Sequence, residues 1–308
     1  MRSHGAFCRR GQSAAVNIPF FPESRPILKD DLSIFRQAFL ENPPAISEFT
    51  FTNLYAWRTV YDFKVSLLDS LLVLSCCLQG KQGFFIPVGK GDIKQAMEKM
   101  AAAGPVVFIR VPQAVKDLFA GEARFVAVED RDNADYLYLI EDLVRLAGKK
   151  YDGKRNLIKK FKAGNLYEYL DLDADCASLC LEFQERWCTI KDCDSQESLR
   201  NERLAIREMI EHFADFELIA GAIKIGKEIS AVAIAQELNP RTLVMHVLKA
   251  DPNIAGLYQT IINEFLSRHA QGFTYVNLEQ DLGLEGLRKA KLSYHPVELV
   301  MKYTLTAK

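Results

Sequence analysis

The chain has 308 residues, a formal net charge of −1 and 49% hydrophobic residues. That length and apolar content can bury one large core or two ordinary ones, and the near-neutral balance excludes a protein that grips nucleic acid through its overall field. The seven cysteines form no CxxC pair, and Cys176–Cys180, four residues apart, has no His at ligand spacing, so reduced thiols in a cytoplasmic protein and no metal site are expected. No apolar run approaches a bilayer span: Val65 to Leu78 is interrupted by Asp69 and Ser70. The basic opening MRSHGAFCRRGQSAAVNIPF lacks the apolar core of a secretory signal, and residues 1–24 are assigned to a disordered tail.

In chain order, Asp30–Asp31 reads as the cap of a helix from Leu32 to Leu40, which Asn42-Pro43-Pro44 stops. The aromatic run Ile46 to Arg58 reads as a core segment, because such side chains dominate burial. Strand-like pieces follow at Tyr61–Leu67, Leu71–Leu78 and Phe84–Val88. A helix from Ile93 to Ala103 buries Ile93, Ala96, Met97 and Met100, and Val106–Val111 is a further strand. The second half gives helices at Cys176–Thr189 and Glu197–Phe213, strands at Glu217–Ile223, Ile229–Glu237 and Thr242–Lys249, a helix over Ala255–His269, then a strand from Tyr275 to Leu278. The order helix–helix–strand–strand–strand–helix–strand thus occurs twice, offset by roughly 160 residues. Two similar α/β domains are expected, at 25–145 and 164–308, joined by a basic linker helix at 146–163.

The chemistry-bearing residues gather in Phe273 to Pro296, FTYVNLEQDLGLEGLRKAKLSYHP. A short strand, the acidic loop Glu279-Gln280-Asp281 and a helix from Leu284 to Leu292 carrying Arg288, Lys289 and Lys291 lie where α/β sheets bind ligands, outside the carboxyl end of a strand. Glu279 or Asp281 is the candidate base and Tyr294 the candidate acid for transfer to an amine or hydroxyl. The alternative for this helix is a solvated face in which Glu285 pairs with Arg288 and Lys289. Lys249 to Tyr258 has the strand–loop–helix layout that suits a phosphate, with Gly256 allowing close approach, and Gly89 to Asp92 repeats it; neither matches GxxxxGK[ST] or GxGxxG. The linker carries Arg145, Lys149, Lys150, Lys154, Arg155, Lys159 and Lys160. That cluster reads either as a phosphate grip or as a solvated helix. The histidines are scattered and suggest no Ser–His–Asp or Cys–His set.

Three segments, ISEFTFTNLYAWR (Ile46 to Arg58), KKYDGKRNLIKKF (Lys149 to Phe161) and NLEQDLGLEGLRKAKLSYHP (Asn277 to Pro296), resemble the domain at the C-terminal end of phosphatidylglycerol lysyltransferases and its stand-alone bacterial versions. The resemblance covers nearly all of the chain after residue 25. It implies an α/β (α+β) fold of tandem acyl-CoA N-acyltransferase-like domains of the GCN5-related N-acetyltransferase type, with mixed central sheets flanked by helices. It also implies an activity: a soluble acyl- or aminoacyltransferase that moves its group from a tRNA or coenzyme A donor to an amine or hydroxyl. Lipid-modifying members carry a long transmembrane region with no counterpart here, so a small-molecule or peptide acceptor is expected. Acetyltransferases of this type read Gln/Arg-x-x-Gly-x-Gly/Ala at the coenzyme loop, whereas Asn253-Ile-Ala-Gly256-Leu-Tyr258 keeps only the first glycine. That departure favours an aminoacyl-tRNA donor over acyl-coenzyme A, neither held covalently.

The site expected is therefore Glu279, Asp281 and Tyr294 for catalysis, Arg288, Lys289 and Lys291 for a negatively charged donor or acceptor, and Gly256 with Lys154, Arg155 and Asn156 for the donor. Asp281→Asn is expected to abolish transfer and leave folding intact. The competing expectation is a non-catalytic module of the same fold that binds a metabolite or a tRNA end.

Overall fold

The computed structural model describes residues 17–78 and 80–308; of the tail expected over 1–24, residues 1–16 lie outside them. The first strands are β1 (Arg25–Pro26), β2 (Lys64–Leu68), β3 (Leu71–Leu78), β4 (Lys81–Phe84), β5 (Val106–Pro112), β6 (Phe125–Glu129) and β7 (Asp135–Leu139). The rest are β8 (Tyr167–Leu172), β9 (Ile219–Ile225), β10 (Glu228–Asn239), β11 (Thr242–Ala250), β12 (Tyr275–Asn277), β13 (Glu298–Val300) and β14 (Lys302–Ala307). They build two seven-stranded mixed sheets, in the orders β1-β2-β3-β4-β5-β14-β6 and β13-β7-β12-β11-β10-β9-β8. The halves exchange one strand each. Strand β7, in the first half of the sequence, lies in the second sheet between β12 and β13, and β14 returns to the first sheet between β5 and β6. The sequence partition at 145/146 is therefore not the partition between sheets, because alternation identifies a strand but not its partner. Residues 17–24, expected in the tail, are tied down: Phe21 N–H donates to Leu67 O at 2.7 Å, and Ile18 is buried.

The two sheets share one further feature. In each, a single parallel pair follows the antiparallel run, with Phe84 opposite Phe108 in the first and Val244 opposite Asn277 in the second. Two residues beyond those partners the chain is bulged, and a non-glycine residue sits in the left-handed region: Arg110 (φ 53°) and Glu279 (φ 57°). The exchanged strands flank these bulges, Val111 opposing Tyr303 while Leu278 N–H and Glu279 C=O both bond to Tyr136. By register, Arg110 corresponds to Glu279 and Ile86 to the residue two past Val244, His246.

The helices are α1 (Leu32–Glu41), α2 (Phe51–Ala56), α3 (Arg58–Tyr61), α4 (Ile93–Ala103), α5 (Gln113–Asp117), α6 (Ile140–Arg145), α7 (Asp152–Gly164), α8 (Ser178–Lys191), α9 (Glu197–Glu211), α10 (Leu257–His269) and α11 (Glu285–Leu292). Thr50 and Asp92 cap α2 and α4 by accepting from Asn53 N and Gln95 N. Asp31, expected as a cap of α1, makes no such bond; its buried carboxylate holds Arg25 at 2.6 and 2.7 Å and Leu28 N. One apolar core runs from the first sheet, through Phe51 and Tyr55 of α2, onto Phe213, Phe216 and the α8–α9 face of the second sheet. A second core lies between the opposite face of that sheet and α10, around Leu257, Ile261 and Phe265. Burial of this continuous kind, at about 25 cal/mol per Å² of apolar surface, holds the two sheets against each other. Cys188 and Cys193 depart from the expectation of free thiols: Asp192, left-handed at φ 50°, turns the chain after α8 and brings them together as a disulfide with Cα atoms 4.9 Å apart. Cys76, Cys77, Cys176 and Cys180 are free.

Candidate active site between strands β11 and β12

Strands β11 and β12 pair over three residues only, Thr242 to Val244 against Tyr275 to Asn277. Beyond that point β11 continues with β10 to Ala250–Ala231, while the chain after β12 stays with Tyr136 of β7. The strands diverge, and two bulged residues face each other across the gap. His246 is the residue left unpaired where the β10–β11 register shifts between Ile234 and Ala235. Its Nδ1 lies 2.9 Å from Glu279 Oε1 and its Nε2 3.0 Å from Gln236 Oε1. An imidazolium satisfies both contacts; a neutral ring does so once the Gln236 amide is turned to donate. Glu279 keeps about a quarter of its side chain exposed while that of His246 is sealed. The pair is a carboxylate oriented by an imidazole, with one face left for a ligand.

Asp281, the other expected base, is engaged on every side. It is fully buried and accepts from Tyr136 Oη at 2.6 Å, Arg288 Nε and Nη2 each at 2.9 Å, Arg131 Nη1 at 3.2 Å and Gly283 N at 2.8 Å. Burial alone would raise its pKa, but the Arg288 and Tyr136 hydrogen bonds overcome it and hold the carboxyl far below the usual range. An acid with its lone pairs filled accepts no proton at neutral pH. Asp281 ties the loop to β7 and α11, and Arg288, expected at a ligand, is spent on Asp281 and Asp132.

The loop backbone is held by two further side chains. Asn277 Oδ1 accepts from Glu279 N at 2.7 Å. Lys291 Nζ donates to Leu278 O at 2.6 Å and to Gln280 O, the carbonyls on either side of Glu279. Burial pulls its pKa down to about 8, against the opposing charges of Glu279, Asp135 and Asp281. Lys289, by contrast, is exposed.

Beside the gap, at the carboxyl end of β11, opens a pocket of about 370 Å³ lined by Trp187, Lys249, Asp251, Gly256, Tyr258 and Gln259 among others. Lys249 is buried, pairs with Glu202 at 2.7 Å and stands 3.6 Å over the Trp187 ring, and desolvation lowers its pKa. Gly256 has a structural reason to be glycine: at φ +83° a Cβ would lie 2.4 Å from Leu157 O of α7. Tyr294 is buried, its hydroxyl without a hydrogen-bond partner among the described residues. Burial, reinforced by nearby Tyr258, pushes its pKa up. Of the linker residues expected at the donor, Lys154 reaches this cluster, donating to Ser293 Oγ at 2.7 Å and standing 3.9 Å over the Tyr294 ring. Arg155 instead binds Leu146 O and Gly148 O at the end of α6, and Asn156 is exposed.

The motif segments Ile46 to Arg58 and Asn277 to Pro296 also meet: Gln280 Nε2 donates to Ser47 Oγ at 2.8 Å and to Glu48 Oε1 at 3.1 Å. The family model for the C-terminal domain of phosphatidylglycerol lysyltransferase matches residues 42–306, the span that contains every part of this arrangement. The chain belongs to that family. A conserved protein of unknown function from Bacteroides thetaiotaomicron is 34% identical, with 92% of this chain and 99% of the other covered at a TM-score of 0.85. The C-terminal domain assigned to a lysylphosphatidylglycerol synthetase of Agrobacterium fabrum is 12% identical, covers 90% and 92%, and has a TM-score of 0.62, a likeness of fold. An uncharacterised protein of Mycoplasmoides gallisepticum is 22% identical over 182 residues, so the match spans 58% of this chain and 58% of that relative. The two mixed sheets flanked by helices are the tandem GCN5-related N-acetyltransferase fold, and the phosphatidylglycerol lysyltransferase family is of acyltransferase type. Among the described residues no helix is long and apolar enough to cross a membrane.

Proposed function

We propose that the chain transfers an aminoacyl group from the ester of a tRNA to an amine or hydroxyl acceptor in the gap between β11 and β12. The observation that carries this reading is the Glu279–His246 pair, placed across diverging strands with about a quarter of the Glu279 side chain left exposed. Glu279 takes the proton of the acceptor N–H or O–H as the nucleophile attacks the ester carbonyl. The acyl C–O bond then breaks, and the departing ribose hydroxyl takes up the proton that Glu279 removed, which returns the carboxylate to its starting state. Aminoacyl-tRNA is favoured over acyl-coenzyme A because Gly256 is occupied by α7 and Tyr258 projects where a pyrophosphate would need a small residue. The exposed Lys149, Lys159 and Lys160, on and just before the α7 helix that packs against α10, suit a polyanion.

The test is single-turnover transfer from radiolabelled aminoacyl-tRNAs and, separately, from acetyl-coenzyme A to a panel of amines and alcohols. Transfer from the tRNA ester that falls by about 10²–10⁴ in Glu279→Gln supports the reading. Transfer from acetyl-coenzyme A alone replaces the donor. Binding without turnover, unchanged in Glu279→Gln, identifies a non-catalytic module instead.

A further inference from the structure

We propose that the first half of the chain is a positioning device for the second: a closed circuit of buried polar side chains, anchored on the first sheet, fixes the bulge that presents Glu279. This inference rests on Glu279 as the reactive carboxylate. The circuit starts at Asn277, whose Oδ1 holds Glu279 N and whose Nδ2 donates to Asp135 Oδ2 at 3.0 Å. Asp135 also accepts from Ser47 N at 2.7 Å, Ser47 Oγ at 2.9 Å and Lys302 Nζ at 2.7 Å. Lys302 continues to Glu48 Oε2 at 2.6 Å, and Glu48 with Ser47 receives the Gln280 amide, closing the ring one residue past Glu279. Ser47, Asp135, Asn277 and Lys302 are each 0% exposed.

Two observations separate this ring from ordinary packing. Burying Lys302 and Asp135 together gives up hydration that an apolar pair would not, so charge is retained here at a cost in stability. Its members also come from both halves in an alternating way: Ser47 and Glu48 precede α2, Asp135 and Lys302 lie on the exchanged strands, and Asn277 and Gln280 flank the bulge. The first half's own bulge feeds the same point, since Arg110, the counterpart of Glu279, lies with Nε 3.4 Å from Glu48 Oε1 and pairs with Asp130. The arginine thus supports the carboxylate that supports the loop of the second half. A left-handed glutamate is strained, and strain persists only where its surroundings over-determine it. The ring, with Lys291 on the opposite carbonyls, supplies that determination.

Gln280→Ala opens the ring without leaving a buried charge. The expected result is a kcat 10- to 100-fold lower at unchanged KM, since a shift of about 1 Å in a reacting group can cost 10²-fold. In ¹⁵N spectra of the full chain, the His246 Nδ1–H signal that Glu279 protects from exchange is expected to broaden beyond detection in the variant. Glu48→Gln, which keeps the acceptor for Gln280 but removes the charge facing Lys302, should give a smaller loss of the same kind. A wild-type kcat together with an unchanged imidazole signal in Gln280→Ala overturns the proposal. If the wild type transfers nothing, the reading of the site fails, and the imidazole signal alone still decides for or against the ring.

Discussion

The two halves place the same backbone around two different gaps. In the second, β11 and β12 part to leave His246 and Glu279 facing each other with a pocket alongside. In the first, the corresponding residues are Ile86, buried in the core, and Arg110, paired with Asp130 and Glu48. A bulge, a left-handed residue and a diverging parallel pair are therefore not sufficient for a site. What differs is the charge at one position and the polarity at its neighbour, and that is enough to turn a copy of the site into a brace.

The sharpest test of this contrast is Glu279→Gln, expected to remove about 10²–10⁴ of the transfer rate while leaving the thermal midpoint near that of the wild type. Transfer persisting at the wild-type rate would place the chemistry elsewhere. Asp281→Asn tests whether the second acid is a reactant or a strut. Replacing a buried, fully paired carboxylate should cost about 3–5 kcal/mol in denaturant unfolding, and wild-type stability with lost transfer would restore it as the base. Because its native pKa is depressed, the Asp281 contribution is complete above the unfolded value of about 3.9 and is lost as pH falls below it. Gly256→Ala should destabilise by about 1–2 kcal/mol from the left-handed conformation alone, more where the methyl meets Leu157 O, and an unaltered unfolding midpoint would show that the glycine serves a ligand instead. The smallest effect concerns Lys291, whose native pKa of about 8 lies below the unfolded lysine value. The unfolded chain binds the extra proton between those values, so stability should rise with pH from about 8 to about 10.4, and Lys291→Met should flatten that rise in pH-dependent thermal unfolding.

Much of this was legible in the sequence. Apolar periodicity located the helix at 93–103, the helix expected over 255–269, which begins at Leu257, and the central strands of the second sheet, and the segment after Tyr275 supplied the candidate residues. The pairing was not legible: β7 and β14 alternate like any strand, and only the folded sheets show that each left its own half. Nor was His246. A lone histidine on a strand carries no local signal, and its partner lies 33 residues away. Glu279 and Asp281 are equivalent as letters. Five donors converge on one and a single imidazole on the other, from elements that no short window contains.

The exchanged strands also bear on how the chain reaches this structure. The gap between β5 and β6 stays open until residues 302–307 arrive, so two edges of the first sheet remain unpaired while nearly the whole chain is synthesised. Closing them joins segments almost two hundred residues apart, and such non-local contacts form slowly because loop-closure entropy is lost before they give any return. During that interval the edges can pair with another copy of the chain. The partner that closes these edges is β14 of the same chain, and truncation before Lys302 should leave them open to aggregation.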